Sequence, residues 1–223
     1  MRPMSTPRRS RPSTLDRTAT VTTDGRAVVE LSSVPPLGRF LARACRLDPN
    51  ALVRLRAGAA GTVEAWVVLP FDVLAMTSVP GDFDGDRAVL AAELLRVLDG
   101  GELPVSRDRQ WRGALPRGTG EIVEEIPVAD IRRIGEAAAA TLRAARGQGV
   151  GDRRLRDVLL DQVVVTVLDD DGDHAVRLRL VVGLLRMGLA DAGVVRVRRL
   201  GGRLGLEADM GTVWSSDPGL TLL

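Results

Sequence analysis

The sequence contains no lysine and no tyrosine, and each absence excludes a class of chemistry. All 31 basic residues are arginines, so there is no P-loop lysine, no Schiff-base nucleophile and no kinase-type strand lysine. Without tyrosine there is no phenolic acid for proton transfer. No apolar stretch approaches the 18 residues that a membrane-spanning helix needs, which excludes a transmembrane helix from the fold.

The chain has one cysteine and one histidine. A single cysteine excludes an intrachain disulfide, and Cys45 falls on the apolar side of a predicted helix, where it is expected to be a small buried hydrophobe. A catalytic thiolate there would need a neighbouring base. The only histidine, His174, lies in the other half of the sequence. A serine hydrolase site would depend on the same histidine, and no GxSxG motif is present.

The net charge of +2 is unevenly distributed. Residues 1–20 carry five arginines and one aspartate, so the remaining chain is net acidic by two charges. These first 20 residues have no apolar core segment, and we predict a disordered basic tail rather than a signal peptide. Met1 and Met4 are both possible translation starts.

Hydrophobic periodicity predicts an α+β protein made of two small subdomains, in which antiparallel strands and hairpins pack with amphipathic helices. The N-terminal domain, residues 21–105, has the predicted order β-α-β-β-β-α. Asp86 is predicted to cap its last helix. The predicted elements are strand 26–31, helix 34–47, strands 51–57, 62–70 and 71–79, and helix 87–98.

Residues 106–125 are rich in glycine, proline and arginine and contain Trp111, which is typical of a linker. The C-terminal domain, residues 126–223, is predicted as two helices, a hairpin, a helix and a second hairpin. Its segment 180–190 is apolar almost all round, so it must be buried in the core or docked to a partner. No internal repeat is evident, because the order and spacing of the predicted elements differ between the halves.

Two groups of carboxylates resemble metal sites. Asp82, Asp84, Asp86 and Glu93 occupy positions one, three, five and twelve of a calcium loop, but the sixth position holds arginine where that loop requires glycine. These aspartates are better explained as turn formers and a helix cap. An aspartate-rich stretch at 169–173 precedes His174, but it has the composition of a hairpin loop. We therefore predict no metal site and no cofactor.

The last third also has the outline of a winged helix, with a hairpin carrying Arg196, Arg198, Arg199 and Arg203 as the wing. However, residues 151–223 are net acidic by one charge, whereas phosphate binding relies on positive faces. Nucleic acid is therefore an unfavoured partner.

Three stretches resemble a family of uncharacterised actinobacterial proteins: WRGALPRGTGEIVEEIPVADIRRIG at 111–135, VRLRLVVGLLRMGLAD at 176–191 and LGLEADMGTVW at 204–214. The resemblance implies a two-part α+β layout and a cytoplasmic protein of unassigned role. It transfers no catalytic or binding residue to this sequence.

We therefore expect a non-enzymatic protein that acts through protein–protein contact, with an unidentified protein or as a homodimer. The apolar segment 180–190 and the apparent loop positions of Trp111 and Trp214 motivate this expectation. Two alternatives remain open: a DNA-binding winged helix that uses the C-terminal hairpin, and an enzyme that uses a divalent metal at the aspartate clusters. No membrane contact is expected.

Overall fold

The computed structural model describes residues 29–31, 34–59, 61–145, 152–169 and 172–216. The predicted basic tail, the start of strand 26–31, and Asp170 and Asp171 lie outside these residues. The elements are β1 (Val29–Leu31), α1 (Val34–Leu47), β2 (Leu52–Ala57), β3 (Thr62–Leu69), β4 (Val73–Phe83), β5 (Asp86–Leu90), α2 (Ala91–Val97), β6 (Glu121–Pro127), α3 (Val128–Ala145), α4 (Asp152–Leu160), β7 (Val163–Asp169), β8 (Gly172–Arg177), α5 (Leu178–Met187), β9 (Val194–Leu200), β10 (Arg203–Ala208) and β11 (Gly211–Ser215).

One antiparallel sheet runs through both predicted domains. Its strand order is β5-β2-β3-β4-β11-β10-β9-β6, with β1 paired to the end of β4, while β7 and β8 form a separate hairpin. The two halves meet where β4 pairs with β11, with Ala75 opposite Val213 and Leu74 opposite Trp214. The predicted α+β class is confirmed.

The structure contains a repeat that the sequence does not reveal. The units β1-α1-β2-β3-β4 and β8-α5-β9-β10-β11 have the same element order and meet at the β4–β11 pair. The flanking strands match as well, because β5 precedes α2 and pairs with β2, while β6 precedes α3 and pairs with β9. In sequence, the two units share the similar segments VRLR in β2 and VRVR in β9. The elements that lie between the two units prevent the repeat from showing as a regular spacing in the sequence.

The helices cover one face of the sheet. Successive strand residues point to opposite faces, so the buried residues of β2, β3 and β4 that face the helices alternate with residues of the other face, which include Arg54, Glu64 and Trp66. On the helical side, α1 buries Leu37, Phe40, Leu41 and Ala44, whereas Cys45, which was expected to be buried, is only partly buried.

The apolar segment 180–190 lies in the core. Helix α5 contacts α1, α3 and the strands β4, β10 and β11, and Leu180, Val181 and Leu184 are at most 2% exposed. Its apolar surroundings are therefore supplied by its own chain. Of the two predicted alternatives, burial in the core is confirmed, and a partner is not what covers this helix.

Three local predictions are also wrong: the start of helix 87–98, Asp86 as its cap and the loop position of Trp214. The predicted helix 87–98 begins as strand β5, because Arg54 lies opposite Ala88 and Val53 opposite Val89, so β2 extends the ladder over these residues. Asp86 consequently belongs to a strand and caps no helix. Trp214 is not in a loop but in β11, where it is 2% exposed. Strand β6 begins at Glu121, within residues 106–125, and the division into domains around that segment stays a prediction.

Candidate functional site

A cleft of about 510 Å³ opens on the helical side of the molecule, between α1, α3 and the end of α5. We call it the α1–α5 cleft. Pro36, Leu185 and Met210 contribute apolar surface, and Arg39, Arg43 and Arg132 contribute guanidinium groups.

The C-terminus of α5 forms one wall of the cleft. Gly188 ends this helix in the left-handed conformation with φ of 58°. The guanidinium of Arg43 donates hydrogen bonds to the carbonyls of Met187 (2.8 Å) and Gly188 (3.0 Å). These carbonyls carry the negative end of the helix dipole, which explains why a cation is stable there. A side chain at position 188 would collide with that guanidinium, since an added Cβ would lie 1.8 Å from Arg43 Nη1.

Helix α3 supplies the second guanidinium of the cleft. Arg132 donates to the carbonyls of Asp191 (2.7 Å) and Ala190 (3.3 Å), and it lies 3.6 Å from the exposed Asp191 carboxylate. Arg39 is exposed at the rim. Within the described parts of the chain, no carboxylate lies within ion-pair distance of Arg39 or Arg43. The cleft therefore offers apolar contact beside positive charge, which suits a segment carrying both apolar and acidic side chains.

The opposite face of the sheet carries a ladder of ion pairs. The pairs join neighbouring strands: Arg54 to Asp86, Arg56 to Glu64, Arg196 to Glu125 and Arg198 to Glu207, at 2.5 to 3.0 Å. The carboxylate of Asp86 raises the pKa of Arg54 above its usual value by hydrogen bonding. These four arginines are therefore paired with carboxylates of their own chain.

Three tryptophans form a second, smaller core on this face. Trp66, Trp111 and Trp214 are buried together with Leu74 and Ala88. Trp111 belongs to a segment that crosses the face between α2 and β6, and residues 104–120 of this segment are called the strap. Trp111 is thus packed against the body of the protein.

The winged-helix hairpin is a central part of the sheet. Strand β10 lies between β11 and β9, and β9 lies between β10 and β6, so the hairpin has no free edges to act as a wing. Its predicted arginines do not share a face. Arg196, Arg198 and Arg203 lie on the tryptophan side. Arg199 has the opposite parity and lies 3.4 Å from Asp169 of β7, with Glu121 at 2.9 Å.

The carboxylates of the predicted calcium-type loop are dispersed. Asp82 is in β4 opposite Glu30, and Asp84 lies in the following turn. Asp86 pairs with Arg54, and Glu93 on α2 lies 3.5 Å from the Arg107 guanidinium. Among the residues that the structure describes, no three His, Cys, Asp or Glu side chains are grouped to hold a metal ion.

The sole histidine lies beside a carboxylate of the neighbouring strand. His174 Nε2 lies 2.8 Å from Asp169 Oδ2 across the β7–β8 hairpin. Asp173 is exposed on β8. Burial raises the pKa of the Cys45 thiol, which opposes the thiolate that a nucleophile requires. No catalytic set is assembled from these groups.

The sequence did not reveal the cleft residues. Arg39, Arg43 and Arg46 follow helical spacing on the polar side of α1, a pattern typical of a solvated face. Arg132 is about 90 residues away along the chain, and only the fold brings it to α1. The sequence feature that could have indicated the cleft is that α1 carries three arginines and no acidic residue.

The described helices include none that is long and apolar enough to cross a membrane.

The fold is similar to that of bacterial DNA sliding clamps. The DNA polymerase III subunit beta of Bartonella birtlesii matches with a TM-score of 0.53 and 14% identity, over 86% of this chain and 64% of that one. The clamp of Caulobacter crescentus matches with a TM-score of 0.55 and 12% identity, over 86% of this chain and 65% of that one. The beta subunit of the DNA polymerase of Streptococcus pyogenes matches with a TM-score of 0.55 and 10% identity, over 85% of this chain and 64% of that one. The chain thus spans under two thirds of the clamps' length, and these identities show similarity of fold.

Two family models divide the sequence between them. The Domain of unknown function (DUF8010) matches residues 27–113, and the Domain of unknown function (DUF8185) matches residues 115–220. These matches fit an uncharacterised two-part protein. No curated protein matches the sequence.

Proposed function

We propose that this protein is a non-enzymatic interaction module that binds a segment of a protein partner in the α1–α5 cleft. The observation that carries the proposal is the combination of apolar surface with Arg39 and Arg43, which lack carboxylate partners among the described residues. The expected ligand is an extended or helical segment in which an apolar side chain is followed by an acidic one.

The comparisons support an interaction role. Sliding-clamp proteins share the fold, and the clamp of Bartonella birtlesii was crystallised bound to griselimycin. Cytoplasmic localisation, actinobacterial origin and a homodimeric state stay predictions within this proposal. So does the division of the chain into domains 21–105 and 126–223 around a linker at 106–125.

Site-specific photo-crosslinking tests the proposal. A photoreactive amino acid replaces the exposed Asp191 at the rim of the cleft, and in a matched control it replaces the exposed Arg109 of the strap. We expect a discrete crosslinked partner from position 191, and we expect its yield to fall by about tenfold when Arg39→Ala is added. Equal crosslinking from both positions would contradict the proposal.

A nucleic acid is the second candidate partner, because charge is segregated between the layers of the fold. The five helices contain twelve arginines and five acidic residues, although the chain beyond residue 20 is net acidic. The helical face is therefore positive, and the prediction that nucleic acid is unfavoured rested on a charge count that averaged both faces.

Salt-dependent DNA binding by protein lacking residues 1–20 tests this candidate. If the helical face contacts phosphates, Arg39→Ala combined with Arg46→Ala should reduce the slope of log K against log salt by about one per lost contact. Arg196→Ala on the opposite face is the control and should leave the slope unchanged. Absence of binding at low salt would remove the candidate.

A further inference from the structure

The strap lies on the sheet face opposite the helices and covers a groove of aromatic and arginine side chains. Its tryptophan, Trp111, is 8% exposed and packs with Trp66 and Trp214, each 2% exposed. Leu115 packs against the same cluster. The guanidinium of Arg54 lies 5.8 Å from the centre of the Trp111 ring, within the range of a cation–π contact.

The sheet holds the strap mainly through arginine side chains that bind main-chain carbonyls. Arg203 donates to Ala114 O at 3.0 Å, and Arg198 donates to Gly120 O at 2.9 Å. Arg56 lies 3.5 Å from Pro116 O. Such contacts do not depend on the side chains of the bound segment. They are therefore suited to any extended chain that places carbonyls at this spacing.

Regular backbone pairing contributes at only one end of the strap. The N–H of Arg107 donates to Ala88 O at 2.7 Å, and the Asp108 carboxylate accepts the Ala88 N–H at 2.6 Å. Over residues 112–120, the described structure has no main-chain hydrogen bond to the sheet. This part of the strap is held as a bound peptide is held, by pockets and side-chain donors.

We propose that residues 111–120 are an intramolecular ligand, and that the groove beneath them accepts a partner's extended segment of the same chemistry when the strap is displaced. The strap defines that chemistry: an indole, followed four and five residues later by leucine and proline, as in Trp111, Leu115 and Pro116. The groove is a different surface from the α1–α5 cleft, and the proposal goes beyond the function proposed for the cleft.

Glycines in the strap allow it to be loosened without altering the groove. Gly113 has φ of 91° and Gly118 has φ of 120°, which side-chain-bearing residues rarely adopt, and an added Cβ would meet nothing closer than 3.9 Å at either position. The double variant Gly113→Ala with Gly118→Ala therefore strains only the seated strap. Gly100→Ala is the matched control, since Gly100 has φ of 119° and open space around it outside the strap.

The test measures binding of a fluorescent peptide with the sequence of residues 108–120 to the full chain. We expect the double variant to bind this peptide at least about tenfold more tightly than the wild type or the control variant. The peptide with alanine in place of its tryptophan should not bind. Equal affinity for all three proteins, or equal binding of the alanine peptide, would overturn the proposal.

A second form of the experiment covers the case in which the double variant does not fold. Wild-type protein nicked by trypsin at the exposed Arg112 or Arg117 of the strap is then used, with circular dichroism to confirm the fold. Binding of the peptide by the nicked protein supports the proposal. A nicked protein that stays folded and does not bind the peptide overturns it.

Discussion

At the scale of single residues, the arginines of the sheet differ in what they contribute although they look alike in sequence. The Arg198 side chain is 15% exposed, bonds Glu207 through two nitrogens and also holds Gly120 O. The Arg196 side chain is 42% exposed, and its partner Glu125 is 51% exposed. Solvent screens an exposed ion pair strongly, so only Arg198 should matter for stability.

The first prediction compares these two residues. Arg198→Ala should lower the free energy of unfolding by about 1–3 kcal/mol, because it leaves the partly buried Glu207 and the strap carbonyl without their donor. Arg196→Ala should cost less than about 1 kcal/mol. Urea denaturation followed by circular dichroism measures both. Equal losses of unfolding free energy in the two variants would mean that the burial of an ion pair does not determine its contribution to stability.

The second prediction concerns Asp108 and the stability of the fold at acid pH. Its pKa is lowered from the usual 3.8, first because its carboxylate accepts the Ala88 N–H and then because it accepts the Ser106 hydroxyl. A carboxyl whose pKa is lower in the folded state stabilises the fold above its unfolded pKa, and this contribution is lost as the pH falls through the folded pKa.

Asp108→Asn should therefore flatten the decline of stability below pH 4 and leave the slope near pH 7 unchanged. Thermal unfolding between pH 2.5 and 7 measures this, with the exposed Asp84→Asn as a control. The effect is expected to be small, since Asp108 is exposed. Identical acid profiles for the wild type and Asp108→Asn would refute it.

At the scale of elements, β10 has a close contact that only glycine permits. A Cβ added to Gly205 would lie 2.8 Å from ring carbons of Trp214 on the neighbouring strand. The ring is buried beneath the strap and has little room to move, since interiors are closely packed. Gly202, in the turn before β10, has nothing within 4 Å of an added Cβ.

Gly205→Ala is accordingly expected to cost about 1–3 kcal/mol by overpacking. Gly202→Ala should change stability by less than about 0.5 kcal/mol. Chemical denaturation of both variants, followed by the fluorescence of the tryptophans, measures the difference. If Gly205→Ala is as stable as the wild type, Trp214 is less constrained than its burial indicates.

Elements whose pattern is local were predictable from sequence. Helix α1 was placed at its observed bounds because its apolar spacing and the following Asp48 act within a few residues. Strand β5 was not, because Asp86–Leu90 reads equally as the first turn of a helix. Its state is decided by the ladder to β2, more than 30 residues earlier. The cleft was missed for the same reason, since Arg132 reaches α1 only through the fold.

At the scale of the whole molecule, the layers separate two kinds of surface. The helical layer is basic and contains the α1–α5 cleft, while the outer face neutralises its arginines with carboxylates of adjacent strands. The two repeated units contribute equally to this arrangement, since Arg54 and Arg196 occupy matching places in β2 and β9 and each pairs with an edge strand. A net charge for the chain cannot express this separation.

The continuous sheet also makes the two predicted domains depend on each other for folding. Buried residues of α1, β3, α5 and β11 belong to one cluster, and β4 is paired with β3 on one side and β11 on the other. Separating the halves would expose this core and break the central ladder. We therefore predict a single cooperative unfolding transition for the chain, as small domains usually show.

Coincidence of probes tests this prediction. Far-ultraviolet circular dichroism reports the helices, and tryptophan fluorescence reports the cluster of Trp66, Trp111 and Trp214, which draws on both halves. The two denaturation curves should have the same midpoint. Leu184→Ala in α5 should lower the free energy of unfolding measured by both probes by about 2–5 kcal/mol. Arg109→Ala on the exposed part of the strap is the control. Separate midpoints, or a shift confined to one probe, would show that the halves unfold independently despite the shared sheet.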